Sequence, residues 1–306
     1  MKYNETIFSS HFQSVVWLSR PSLFLFNQNS KVRRIKYFSK RHLLRQAGEW
    51  AVITGGSAGI GRAYADELAK DGLNIVLLGN DLPGLTTAKR EIEECHKVKV
   101  IVIEADFTEV KMYDLISEKL HALSSVACLV NNVGMFYPPH HFLPGSGFVS
   151  LDFCRKLIYC NMLAATTMTR IVLPKMLKQR PMGAAIINLS SRSASKLCPY
   201  MSLYAASKQY IYHFSQCLRH ELSDSGILVQ TVCPSVVATG MTKIEKPTFL
   251  VPDARTVASS ALDLLGVECN TSGYIGHSLI GLALDYLPAC VTKRRIQAYL
   301  KKNHSE

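Results

Sequence analysis

From Trp50 onward the apolar residues fall into short unbroken runs, and between those runs they recur at every third or fourth position. Unbroken aliphatic runs read as strands buried on both faces, and the three-to-four spacing reads as amphipathic helices. The pattern predicts strands at Ala51–Ile53, Asn74–Leu78, Lys99–Glu104, Ala127–Val130, Ala184–Leu189 and Ile227–Val232, with a last one around Tyr274. It predicts helices at Ile60–Lys70, Leu85–Cys95, Lys111–Leu120, Leu151–Leu177, Tyr204–Ser223 and Ala254–Leu265. Strands and helices that alternate in this way build a doubly wound parallel sheet, because crossovers between parallel strands are right-handed and lay helices on both faces. No Gly/Pro-rich linker or repeat interrupts residues 47–306, so this stretch is expected to be a single α/β domain with an apolar C-terminal extension.

Composition alters this picture only at the N-terminus. With 48% hydrophobic residues among 306, the chain can bury a large core, which excludes disordered and disulfide-scaffold classes. Nine scattered cysteines contain no C-x-x-C pair, so free thiols are expected. The net charge of +12 is concentrated in residues 1–48, where nine basic residues face Glu5 alone. A basic tail without a zinc-finger, RRM or helix-turn-helix pattern fits a membrane surface or a targeting signal better than nucleic acid. Residues 7–26 are half apolar, but Arg20 and Pro21 interrupt them, so residues 1–46 read as an interfacial anchor or a mitochondrial transit peptide. Tyr274–Val291 reads as a buried C-terminal strand and helix, with membrane docking as the other reading.

The candidate chemistry begins directly after the first strand. Thr54-Gly55-Gly56-Ser57-Ala58-Gly59-Ile60-Gly61 runs straight into a helix. Gly55 permits a sharp turn, Gly59 a close approach of backbone to a pyrophosphate, and Gly61 tight packing of helix on strand; the helix N-terminus offers its N–H groups to the phosphates. This is the dinucleotide-binding arrangement of a Rossmann-type fold. At the end of the second strand stand Asn80 and Asp81, and a carboxylate there argues for NAD(H), since it would repel a 2′-phosphate. Arg62 is the nearby basic residue. Asp106, after the third strand, is placed to meet the adenine, and Asn132 and Gly134 follow the fourth strand where the cofactor would cross the sheet edge.

Tyr204 and Lys208 stand four residues apart at the start of a predicted helix and so share a face. A phenol with a pKa of roughly 10 carries protons poorly at neutrality, and a nearby ammonium favours the phenolate. Ser191 closes the fifth strand at the same edge, and Asn161 lies in mid-helix, where an amide asks for a reason.

The order TGGSAGIG, NNVG, Asn161, Ser191 and YAASK resembles the short-chain dehydrogenase/reductase family. More narrowly, GEWAVITG, VNNVGMFYP, INLSS, SQCLRHEL and VVATGMTK resemble the 17β-hydroxysteroid dehydrogenase type 3 and type 12 group, which includes the very-long-chain 3-oxoacyl-CoA reductases; the likeness spans about residues 47–300. The resemblance implies interconversion of a ketone and a secondary alcohol on a large hydrophobic substrate, a steroid or a 3-oxoacyl-CoA. It assigns acid/base work to Tyr204 and orientation of the nicotinamide ribose, with lowering of the phenol pKa, to Lys208. It makes Ser191 polarise the carbonyl, gives Asn161 a relay water, and puts Thr239 against the nicotinamide end. It also implies NADP(H), a homodimer through the helices at 151–177 and 204–223, and the cytosolic face of the endoplasmic reticulum membrane, with the mitochondrion as the alternative.

Three departures stand out. Asn80-Asp81 replaces the Arg usual in this group, and Arg192 replaces the Gly that commonly follows the serine, where it would meet an anionic substrate group or solvent. Arg20 and Pro21 break what is a membrane helix in many relatives. They leave open a second reading, a catalytically silent relative that acts by binding cofactor, lipid or protein.

Overall fold

The computed structural model describes residues 37–137, 139, 149–179, 182–285 and 294. Seven strands, β1 (Trp50–Thr54), β2 (Asn74–Gly79), β3 (Val100–Glu104), β4 (Val126–Asn131), β5 (Ala185–Leu189), β6 (Leu228–Val232) and β7 (Asn270–Thr271), form one sheet. Their order is β3-β2-β1-β4-β5-β6-β7, and each neighbouring pair is parallel. The direction of winding reverses between β1 and β4, so a crevice opens beyond the C-terminal ends of these strands.

Strand alternation divides the core in two. Ala51, Ile53, Ile75 and Leu77 face one layer, with Leu68 of α2 (Gly59–Lys70), Leu85 of α3 (Leu82–His96) and Leu262 of α8 (Ala254–Asp263). Val52, Val76 and Leu78 face the other, with Ile116 of α4 (Tyr113–His121), Met168 of α6 (Ala164–Gln179) and Leu218 of α7 (Ser202–Glu221). Both faces of the sheet are covered, which is why its strands read as continuous apolar runs. The expected single-domain Rossmann-type α/β fold is the one observed.

Two expectations about elements are corrected. The helix predicted over Leu151–Leu177 is α5 (Leu151–Ile158), a π-helical turn at Tyr159–Leu163, and α6. The strand expected around Tyr274 is β7, at Asn270–Thr271; Gly273, at a φ of +74°, then turns the chain into α9 (Ile275–Asp285) just past Tyr274.

The chain divides into units at Met1–Phe38 and Ser39–Glu306. Residues 39–46, grouped with the tail on charge alone, are part of the second unit. A 3-10 turn (Arg41–Leu43) and the short helix α1 (Leu44–Ala47) pack on the sheet, with Leu44 fully buried. Arg41 bonds Glu67 at 2.8 Å, Asp71 at 2.7 Å and Asp263 at 2.9 Å. Residues 7–26 lie outside the described residues, as do 286–291 of the apolar extension. Among the described residues no helix is long and apolar enough to cross a membrane.

Candidate functional site

The crevice is built from the ends of β1 and β4. The Thr54 hydroxyl accepts the N–H groups of Asn132 at 3.0 Å and Val133 at 3.1 Å, and the Asn132 amide donates to the carbonyls of Thr54 and Gly55. This lacing holds the glycine turn in shape. Gly55 and Gly59 have φ of +67° and +59°, conformations that L side chains rarely adopt. A Cβ on Gly61 would stand 2.1 Å from the Gly55 carbonyl oxygen, and one on Gly59 would meet the Thr239 methyl at 3.5 Å. Thr239 is therefore brought to the glycine turn. Ile60 packs partly against the core, and Ser57 lies beside Gly84 at the start of α3. Helix α2 begins with no side-chain cap and no acidic residue in its first turn, so its N–H groups remain for an anion. Glycine turn, uncapped helix and open strand ends fit a dinucleotide diphosphate.

On the side expected for the adenosine, the polar side chains bond first to the protein itself. Asp81 turns its carboxylate onto its own helix, where it caps α3 by accepting the Gly84 N–H at 3.1 Å. Arg62 is held by Asp66 and Glu91 at 3.1 and 3.0 Å. A groove of about 720 Å³ beside Ser57, Arg62, Gly84 and Arg255 lies on this side, and Asp66 and Glu91 balance its cations. Asp106 accepts from the backbone and hydroxyl of Thr108, while Asn80 is exposed.

At the other end of the crevice the four predicted catalytic positions converge. Tyr204 opens α7 one turn ahead of Lys208, and the Ser191 hydroxyl stands near enough to the Tyr204 phenol to favour its ionised form. Lys208 is buried and donates from Nζ to the Leu189 carbonyl at 3.1 Å. A Cβ on Gly134 would lie 3.3 Å from Lys208 Nζ and 3.4 Å from Asn161 Oδ1, so both side chains reach this glycine. Asn161 sits in the π turn. Its Oδ1 accepts the Met135 N–H at 2.6 Å, and its Nδ2 donates to the Met135 carbonyl at 3.0 Å and the Ser207 hydroxyl at 3.1 Å. Both amide hydrogens are used, which leaves one Oδ1 lone pair for a further partner.

The electrostatics differ from the expectation that Lys208 lowers the phenol pKa. Burial pushes the Tyr204 phenol above its usual value, against a smaller lowering by Ser191. Burial also pulls Lys208 down to about 8. The ammonium is 5.8 Å from the Tyr204 ring centroid and is committed to Leu189, so desolvation prevails for both groups.

Arg192 turns its half-buried guanidinium to α9, where its Nη2 donates to the Gly281 carbonyl at 2.8 Å. Sequence reasoning missed Tyr137, whose buried hydroxyl accepts the Leu203 N–H at 3.2 Å and steadies the first turn of α7. Its signal lay within VNNVGMFYP. Ser207 was legible only as a letter of YAASK.

The short chain dehydrogenase family matches residues 49–248. The very-long-chain 3-oxoacyl-CoA reductase of Bos taurus is 42% identical over 243 residues, covering 79% of this chain and 76% of its own. The inactive hydroxysteroid dehydrogenase-like protein 1 of Homo sapiens is 38% identical over 256 residues, covering 82% of this chain and 76% of its own. Among solved structures, the short-chain dehydrogenase from Sphingobium yanoikuyae in complex with NADPH superposes with a TM-score of 0.67 at 28% identity, covering 78% of this chain and 92% of that one. The glycine turn, the Ser191–Tyr204–Lys208 constellation and these likenesses agree, and the chain belongs to the short-chain dehydrogenase/reductase family of oxidoreductases, in the group of these reductase and hydroxysteroid dehydrogenase-like relatives.

Proposed function

We propose that this protein reduces a ketone on a long hydrophobic substrate, of the 3-oxoacyl thioester or steroid class, to a secondary alcohol. The observation that carries the proposal is the meeting of Ser191, Tyr204, Lys208 and Asn161 at the sheet edge beside an uncapped glycine turn. Thr54, Gly55, Ser57, Gly59, Ile60 and Gly61 would hold the diphosphate of a nicotinamide dinucleotide; Asn80, Asp81 and Asp106 its adenosine; Asn132, Gly134, Lys208 and Thr239 its nicotinamide end. A bound dinucleotide supplies a hydride. The Ser191 hydroxyl polarises the carbonyl, and Tyr204 delivers its phenolic proton to the carbonyl oxygen as negative charge develops there. A phenol with a raised pKa keeps that proton loaded at neutral pH, which suits reduction. Exposed apolar side chains on the loops of this edge, Phe136, Leu197, Val236, Met241, Phe249 and Leu250 among them, suit a large apolar substrate. Homodimerisation through α5, α6 and α7, and attachment to the endoplasmic reticulum membrane by residues 1–46, belong to the same proposal.

The test is fluorescence titration of the full chain with NADPH and with NADH, repeated with Asp81→Arg, followed by assays on 3-oxoacyl-CoAs and steroid ketones. Tyr204→Phe is expected to lower turnover by about a hundredfold or more while dinucleotide binding persists. Folded protein that binds neither dinucleotide would remove the proposal. The likeness to an inactive relative supports one rival, a binding protein in which Tyr204→Phe changes nothing.

A further inference from the structure

Helix α9 lies far along the chain from the catalytic serine, yet it is tied to the loops that leave the same sheet edge. Arg192 follows Ser191, and its guanidinium reaches across 89 positions to donate to the Gly281 carbonyl at 2.8 Å. Gly281 is buried, and a Cβ there would stand 3.0 Å from Arg192 Nη1 and 3.1 Å from Cζ, so the two residues are fitted to one another. The Arg192 N–H donates to the Pro234 carbonyl at 2.9 Å, which anchors the base of the arginine to the loop after β6. One turn earlier in α9, buried His277 bridges the same loop: it accepts the Ser235 N–H at Nδ1 (3.3 Å) and donates from Nε2 to the Val236 carbonyl (2.9 Å). Phe249 meets Tyr274 edge-on with ring centroids 6.0 Å apart, and its carbonyl closes on Gly276. Two of the loops that leave this sheet edge, the one after β5 and the long one between β6 and α8, therefore hang on one short apolar helix.

We infer that Arg192 is a positioning residue: it ties α9 to the loop of Ser191, and so fixes a wall of the substrate site and the apolar length that the site accepts. A glycine after the serine would remove this tie and leave, among the described residues, the contacts of His277, Ser278 and the segment at Phe249. The consequence for substrate selection rests on the ketone-reductase reading; the tether itself does not.

The test uses the full-length chain and two readouts. Hydrogen–deuterium exchange is measured over 275–285 for native protein, Arg192→Gly, Arg192→Lys and Gly281→Ala. Loss of a charge-assisted bond is expected to speed exchange in this segment by about tenfold or more in Arg192→Gly, with partial protection restored by lysine. Gly281→Ala, whose added methyl displaces the guanidinium, is expected to act in the same direction, and it supplies the answer should Arg192→Gly fold poorly. In kinetics, KM for the longest apolar substrate is expected to rise about tenfold in Arg192→Gly, with kcat and dinucleotide affinity within about a factor of two. Unchanged exchange over 275–285 in Arg192→Gly and Gly281→Ala would overturn the tether. Faster exchange with an unchanged KM across substrate lengths would overturn its role in selection. If the native chain reduces no ketone, the functional reading fails while exchange still decides the tether.

Discussion

Lys208 holds an ammonium where water does not reach, and its lowered pKa measures what that costs the fold. In the unfolded chain this lysine keeps its proton to an ordinary 10.5; in the fold it gives it up at about 8. Below pH 8 the penalty is present in full, and stability recovers as pH climbs from about 8 towards 10.5, because the unfolded state then binds more protons. At neutral pH the difference is on the order of 3 kcal/mol. Lys208→Met is therefore expected to lose turnover and yet unfold at higher denaturant than the native chain at pH 7, with the gap closing by pH 10; thermal and urea melts across this range check it. Retaining a destabilising charge is what a functional site does. Reduction is expected to hold level up to about pH 8 and to fall above it as Lys208 deprotonates, and an initial-rate profile reads this directly. The sequence showed Tyr204 and Lys208 as a pair on one helical face, but the sign of the phenol's shift depended on burial, which no spacing reveals.

Elements show where local rules held and where they gave way. The strands followed from apolar runs, since residues between two helix layers have no polar face to offer. The π turn at Tyr159–Leu163 was not legible, because Asn161 reads as an ordinary weak helix former until the Met135 peptide is seen to occupy both sides of its amide. One extra residue in the turn aims this amide at a loop that is distant in sequence, and such bulges gather at functional sites. Asp81 carries two readings at once: a carboxylate 20 residues past Gly61 resembles a ribose reader, and it also begins a helix, whose Gly84 N–H one of its oxygens accepts. Thr54 is the element-scale hinge of the site. Thr54→Val keeps the shape and strands the N–H groups of Asn132 and Val133, so a loss of about 2 kcal/mol in urea unfolding and weaker dinucleotide binding are expected.

On the scale of the whole molecule, Arg41 joins the residues before β1 to the ends of α2 and α8. Its side chain is 16% exposed and that of Glu67 8%, so the pair is largely removed from water. Burial pushes the Glu67 carboxyl up, but its bonds to Arg41, with smaller help from Lys70 and Ser259, outweigh this and leave it below its ordinary value. The stabilisation is thus present at neutral pH and lost as pH falls through that lowered pKa. Arg41→Met is expected to cost about 3 kcal/mol at pH 7, because it leaves a buried carboxylate uncompensated, with the difference from native shrinking in acid. A chain begun at residue 47 should suffer at least as much, since it also loses Leu44, and guanidinium melts of the two proteins check both statements. Charge counting alone placed this arginine in a basic tail, where nothing about it differed from Arg33 or Arg45. Alternating periodicities, the glycine turn and the order of Asn161, Ser191, Tyr204 and Lys208 were enough to read the sheet, the crevice at the glycine turn and the edge where these four residues meet, because each depends on neighbours within a turn or a strand. The partners of Arg41, Asp81, Asn161 and Arg192, and the protonation of Lys208, were decided by packing, because they depend on which distant groups exclude water and which polar atoms remain for a buried side chain to meet.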